Sequence, residues 1–118
     1  MQVSLQHVAH ARSGDKGNTA NIAVFAYSPE LYPLLVAQLT ADRVKAFYRG
    51  AITGEVLRYP VDGLHAINFV AHGALGGGVS RSLSLDQYGK ALSAALLAFP
   101  IEVPPSLREH LRNWPLGD

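Results

Sequence analysis

The chemically richest stretch of the chain is Ala11–Asn21, A-R-S-G-D-K-G-N-T-A-N, which gathers Arg12, Asp15 and Lys16 among Ser13, Gly14, Gly17, Asn18, Thr19 and Asn21. A turn needs only glycine, Asn or Asp to permit positive φ, so three charges are more than a turn requires. Arg12 and Lys16 are anion-binding types, and the backbone N–H groups of Gly14 and Gly17 can add a nest for a carboxylate or phosphate. Asp15 beside Lys16 has the form of a general base with an orienting cation. The same Asp15 also serves as a turn former that accepts backbone hydrogen bonds.

A second segment, H-G-A-L-G-G-G from His72 to Gly78, offers an imidazole suited to proton shuttling near neutral pH. Gly76, Gly77 and Gly78 can supply further N–H donors. Arg81 and Ser82 follow and can support an anion from behind, although Arg81 paired with Asp86 is the simpler use of that charge. Asn18, Asn21 and Asn68 can direct amide donors at a carbonyl, or can act as structural hydrogen-bonding residues. The candidate catalytic residues are therefore Asp15, Lys16 and His72. The candidate ligand-binding residues are Arg12, Ser13, Gly14, Gly17, Asn18, Asn21, Asn68, Gly76, Gly77, Gly78, Arg81 and Ser82.

Several chemistries are disfavoured. Neither glycine segment has the G-x-x-x-x-G-K-[ST] spacing of a phosphate-binding P-loop, and G-x-x-G-G-G is not a dinucleotide fingerprint. His7 and His10 fall on opposite faces of a regular strand, His65 and His110 have no evident acidic or histidine companion, and cysteine is absent. We expect no metal and no cofactor. Ser13 and Ser80 lack the context of a nucleophile elbow.

The 118 residues suit one domain with a two-layer core. A hydrophobic fraction of 48% with 16% charged residues points to a folded chain, and a formal net charge of +1 with scattered basic residues argues against a nucleic-acid surface. The N-terminus lacks the basic and apolar runs of a signal peptide, and no apolar run reaches membrane-spanning length. The expected location is the cytoplasm, away from membranes.

Elements positioning these residues follow from periodicity. Val3–Ala11 alternates as a half-buried strand. Ala20–Tyr27 is apolar on both faces and belongs mid-sheet. Ser28-Pro29-Glu30 resembles a helix start, with Pro33 an alternative first-turn position, and Leu31, Leu34, Leu35 and Leu39 share a helical face. Thr40 caps a second helix carrying Val44, Phe47 and Tyr48 as far as Gly50. Gly54–Pro60 reads as an edge strand and Leu64–His72 as a second central strand. Val79–Leu85 is a short candidate strand, Asp86 caps a last helix to Phe99, and Ile101–Val103 is a short final strand. Residues 1–103 form the expected domain. Residues 104–118 form a surface tail that lies on the domain or reaches a neighbouring subunit through Leu107, Leu111 and Trp114.

From Ala20 the order is β-α-β-β-α-β, the ferredoxin-like unit, an α+β sandwich with an antiparallel sheet and helices on one face. An extra N-terminal strand precedes it. The first and third strands of the unit are adjacent and antiparallel, so the Arg12–Thr19 and His72–Gly78 segments should meet at one end of the sheet. Val3–Ala11 competes with Ile101–Val103 for the place beside Ala20–Tyr27, and we expect the N-terminal strand to take it.

The motifs S-G-D-K-G-N-x-A-N-I (Ser13–Ile22), L-T-A-D-R-V (Leu39–Val44), N-F-V-x-H-G-A-L-G-G-G (Asn68–Gly78) and R-S-L-x-L-D-x-x-G-K (Arg81–Lys90) resemble the acyclic terpene utilisation (AtuA) family. The likeness is to its small C-terminal ferredoxin-like domain occurring as a stand-alone chain, and it covers Val3 to about Val103. It implies a bacterial catabolic setting that processes branched acyl-CoA compounds or organic acids, with the family's larger portion supplied by a partner chain. The resemblance implies no defined reaction.

Three readings follow: a ligand-binding or accessory protein holding a small carboxylate or acyl-CoA-type anion, an acid–base enzyme of hydratase, isomerase or lyase type at the same residues, or a structural assembly module. One uncovered sheet face in a short chain points to a homo-oligomer, a dimer first.

Overall fold

The computed structural model describes residues 1–74 and 92–114, with the side chain of Asp15 outside that description. The candidate residues Gly76, Gly77, Gly78, Arg81 and Ser82 lie outside the described residues, as do the expected strand Val79–Leu85 and the cap at Asp86.

The described chain is α+β. Its strands are β1 (Gln2–Ser4), β2 (Ala9–Lys16), β3 (Thr19–Ala26), β4 (Val56–Val61), β5 (Ala66–His72) and β6 (Pro100–Glu102), with helices α1 (Tyr32–Gln38) and α2 (Ala41–Phe47) between β3 and β4. A four-stranded antiparallel sheet has the order β2-β3-β5-β4, and β1 pairs with β6 in a separate antiparallel ribbon. The two segments apolar on both faces, β3 and β5, are the central pair. The proline-bearing β4 is an edge, where Pro60 leaves no ladder donor missing from the interior.

The N-terminal segment departs from the single strand expected over Val3–Ala11. A 3-10 turn at Leu5–His7 divides it: β1 joins β6, and β2 takes the place beside β3. The physical reason is burial. Leu5 and Val8 are both fully buried, three residues apart, which no two-residue alternation permits. The turn lets both enter the core and is fixed from afar, by the Leu5 N–H donating to the Phe99 carbonyl (2.8 Å) and the Gln6 N–H to the Leu97 carbonyl (2.9 Å). The last strand is accordingly displaced from the main sheet but paired.

Helices pack on one face of the sheet. Leu31, Leu35 and Leu39 recur at four-residue spacing and are all fully buried, meeting Ile22, Val24, Ile67 and Phe69 in the core. Pro33 sits in the first turn of α1, where it forfeits no helical bond. Thr40 caps α2 by accepting from the Arg43 N–H at 3.2 Å. Residues 92–96 are helical. On β4, Arg58 turns inward at the sheet edge and donates to the carbonyls of Val36 (2.8 Å) and Leu39 (3.1 Å), satisfying acceptors at the end of α1.

The segment after β6 returns across the N-terminal region. Leu111 is buried, with Leu107 and Trp114 packed against the same core. His7 Nδ1 lies 2.9 Å from the Arg112 carbonyl, and the Arg112 guanidinium sits 4.4 Å from the Tyr27 ring centroid.

Candidate functional site

Strand register assigns each candidate to a face. In antiparallel ladders, directly paired residues share a face and neighbours along a strand alternate. The ladder Ser13–Ile22–Phe69–Arg58 faces the helices, with Ile22 and Phe69 fully buried. The intervening rows carry His10–Phe25–Ala66–Val61, Arg12–Ala23–Asn68–Tyr59, Gly14–Asn21–Val70–Leu57 and Lys16–Thr19–His72, and these lie on the other face of the sheet.

Arg12, Gly14, Lys16, Asn21, Asn68 and His72 therefore share one surface. Arg12, Lys16, Asn21 and His72 are exposed and Asn68 is half-buried. Gly14 and Ala23 carry little or no side chain between them, and a methyl group built on Gly14 would meet nothing within 4 Å. Gly14 and Ala23 thus leave a stretch of little side chain, and Arg12, Lys16, Asn21 and Asn68 are its neighbours on the ladder. Each of these four neighbours offers hydrogen-bond donors, and two are cationic.

The charged segment expected to be a loop is largely strand. β2 and β3 remain paired to Lys16 opposite Thr19, leaving only Gly17 and Asn18 as the turn. Gly17 adopts φ 64° while Asn18 does not enter positive φ, the pattern of a II′ hairpin with glycine at its first central position. Arg12 and Lys16 can occupy a ladder here because the face they project from is wet.

At this end of the sheet the two candidate segments meet. Thr19 is the Cα partner of His72, with its Oγ1 3.4 Å from His72 Nδ1, and the Ala74 N–H donates to the Asn18 carbonyl at 3.0 Å. The end of β5 is held from its other side: the Gly54 N–H donates to the His72 carbonyl (2.8 Å), and the His72 N–H to the Glu55 carbonyl (2.9 Å). Thr19 thus enters the constellation as a neighbour of His72. Its signal in the sequence was only its place within the polar run.

The other candidates do not fall on these rows of the ladder. Ser13 falls on the helix-facing ladder, and Asn18 lies in the turn with its carbonyl engaged. Asp15 occupies the rung opposite Ala20. At the far end of the open face, His10 stacks on Phe25 with ring centroids 4.9 Å apart and planes 12° apart. Burial lowers the His10 pKa, and the positive charges of Arg12 and Arg112 lower it further, favouring a neutral ring.

Among the described residues no group of three or more His, Asp or Glu could hold a metal ion, and no helix is long and apolar enough to cross a membrane. The family model for the AtuA ferredoxin-like domain matches residues 3–102. No curated protein and no solved structure matches the chain.

Proposed function

The chain belongs to the AtuA ferredoxin-like domain family, and from that premise we propose that it is an anion-binding accessory domain. Its ligand is a small carboxylate or acyl-CoA-type compound of a bacterial catabolic route for acyclic terpene-type or related branched acids. The observation that carries this reading is the row pattern of the open face, which sets Arg12 and Lys16 on either side of a bare stretch of strand at Gly14, with Asn21 and Asn68 beside it. Arg12 and Lys16 are four residues apart on one strand, about 13 Å between their Cα atoms. Their long side chains can converge over the gap, a guanidinium giving paired donors to a carboxylate and an ammonium giving a second charge. His72 and Thr19 extend the donor surface toward the glycine-rich segment.

A shallow, solvent-exposed platform suits holding an anion. Catalytic acid–base work asks for a site that excludes water around the reacting bond. Delivery of a bound acid to a partner chain fits such a platform, as does presentation from a dimer.

The test is a thermal-shift series of the protein with short organic acids and acyl-CoA thioesters. A ligand at one hundred times its Kd stabilises by about 2.7 kcal/mol, which for 118 residues is a rise of about 11 °C. The rise should fall sharply in Arg12→Ala and Lys16→Ala. A shift that survives both substitutions unchanged would remove the proposed site.

A further inference from the structure

A second concave site lies in the helical layer, apart from the open sheet face. It is a cleft of about 480 Å³ lined by Arg43, Ala46, Phe47, Arg49, Phe99 and Pro100. Among the described residues its lining contains two arginines and no acid.

Arg43 is fixed in orientation. Its guanidinium carbon sits 5.0 Å from the centroid of the Phe99 ring, and its Nη1 donates to the Gln38 carbonyl at 3.0 Å. A guanidinium carries five N–H donors in one plane. Stacking and one committed donor hold that plane without exhausting it. Arg49 follows α2 in the left-handed region, φ 51°, immediately before Gly50 at φ 91°. Side chains other than glycine, Asn and Asp seldom occupy that region, and such strain gathers at functional positions. Among the described residues neither arginine pairs with a carboxylate. Two guanidinium groups at one cleft raise the local concentration of anions.

The remaining lining is apolar and aromatic. Phe47 and Phe99 lie with ring centroids 5.4 Å apart at 55°, flanked by Ala46 and Pro100. A fully hydrated anion gains nothing from those rings, whereas a carboxylate attached to a flat apolar body uses both halves of the lining.

We propose that this cleft binds a small organic carboxylate with a planar or aromatic body, its carboxylate on Arg43 and Arg49 and its body against Phe47 and Pro100. The cleft is independent of the sheet-face site, because no residue is common to the two.

The experiment is an NMR titration of the full chain with benzoate, with benzyl alcohol as the neutral counterpart and inorganic phosphate as the anion without a ring. Benzoate should shift the amides of residues 43–50, Phe99 and Ile101 and bind at least tenfold more tightly than either control. Arg49→Gln should weaken benzoate at least tenfold while melting within about 2 °C of the parent, and Phe47→Leu should weaken it severalfold. Lys16→Ala should leave benzoate affinity at this cleft unchanged. The proposal is overturned if benzoate fails to shift these amides, if phosphate binds as tightly as benzoate, or if Arg49→Gln binds benzoate like the parent.

Discussion

Gly54→Ala tests whether the end of β5 is held where the open-face reading needs it. A methyl group built on Gly54 would lie 2.5 Å from the His72 carbonyl oxygen and 2.8 Å from its carbon. Both are backbone atoms, so the clash cannot be relieved by a rotating side chain. The strand end must move, and two hydrogen bonds go with it: Gly54 N–H to the His72 carbonyl and His72 N–H to the Glu55 carbonyl. At about 1 kcal/mol each, their loss comes to about 2 kcal/mol. With an unfolding entropy of about 0.25 kcal/mol per kelvin for this chain length, the melting temperature should fall by about 8 °C. Gly63→Ala is the control, since a methyl there meets nothing within 4 Å and its backbone is not in the positive-φ region. Displacing His72 from Thr19 should also weaken anion binding at the open face severalfold. Calorimetric melting of both variants, followed by ligand titration, reads the two effects separately. If Gly54→Ala melts within 2 °C of the parent and binds equally well, the rigid placement of His72 is refuted.

Tyr32 is almost wholly buried, and its hydroxyl donates to Asp62 Oδ1 at 2.7 Å, with the Ala66 carbonyl at 3.2 Å. Burial, then the Asp62 hydrogen bond and charge, push its pKa up to about 12 from the ordinary 10. A raised pKa means the hydroxyl's contribution is complete below pH 10 and is lost as pH climbs through 12, at most about 2.7 kcal/mol. Tyr32→Phe should cost about 1 kcal/mol at neutral pH, and its melting deficit should shrink between pH 10 and 12; a constant deficit across that window would contradict the assignment. Arg58→Met removes the donors to the Val36 and Leu39 carbonyls and should lower the melting temperature by about 8 °C, from about 2 kcal/mol. Urea unfolding of Leu111→Ala should show a loss of about 2–3 kcal/mol, because Leu111 is buried in the common core; a loss under 0.5 kcal/mol would show that residues 104–114 are not docked.

Much of the architecture was legible because single residues carried unambiguous signals. Ile22, Val24, Phe25 and Tyr27 on one segment, and Ile67, Phe69 and Val70 on another, marked strands with neighbours on both sides, and Pro60 marked an edge. Thr40 and Asp42 marked the start of α2. Two features were hidden. Val3, Leu5, His7 and Ala9 alternate in the sequence, yet the break at Leu5–His7 is enforced by carbonyls of Leu97 and Phe99, over ninety residues away. The run S-G-D-K has the composition of a loop, and only pairing with β3 makes it strand. The helical-layer cleft was invisible for a similar reason. Arg43 and Arg49 are six residues apart and gain meaning only when Phe99 and Pro100 pack beside them.

The displaced final strand explains how the open face acquired its chemistry. In an ordinary βαββαβ unit the last strand lies beside the first, and here that strand is Pro100–Glu102, a segment whose proline cannot donate to a ladder. β2 occupies the position instead, and its eight residues bring Arg12 and Lys16 with them. Pairing with β3 fixes the spacing of the two cations along the strand and the side of the sheet from which they project. A charged loop would have had to be ordered by its ligand, at an entropic cost for each residue. On the ladder that ordering is complete before any anion arrives, as a binding platform built on strands requires. The same exchange leaves β6 free to pair with β1, and that ribbon carries the chain past Phe99 and Pro100, where the arginines of the second cleft meet their aromatic wall. One change in strand pairing thus shapes both surfaces on which a ligand is proposed to bind.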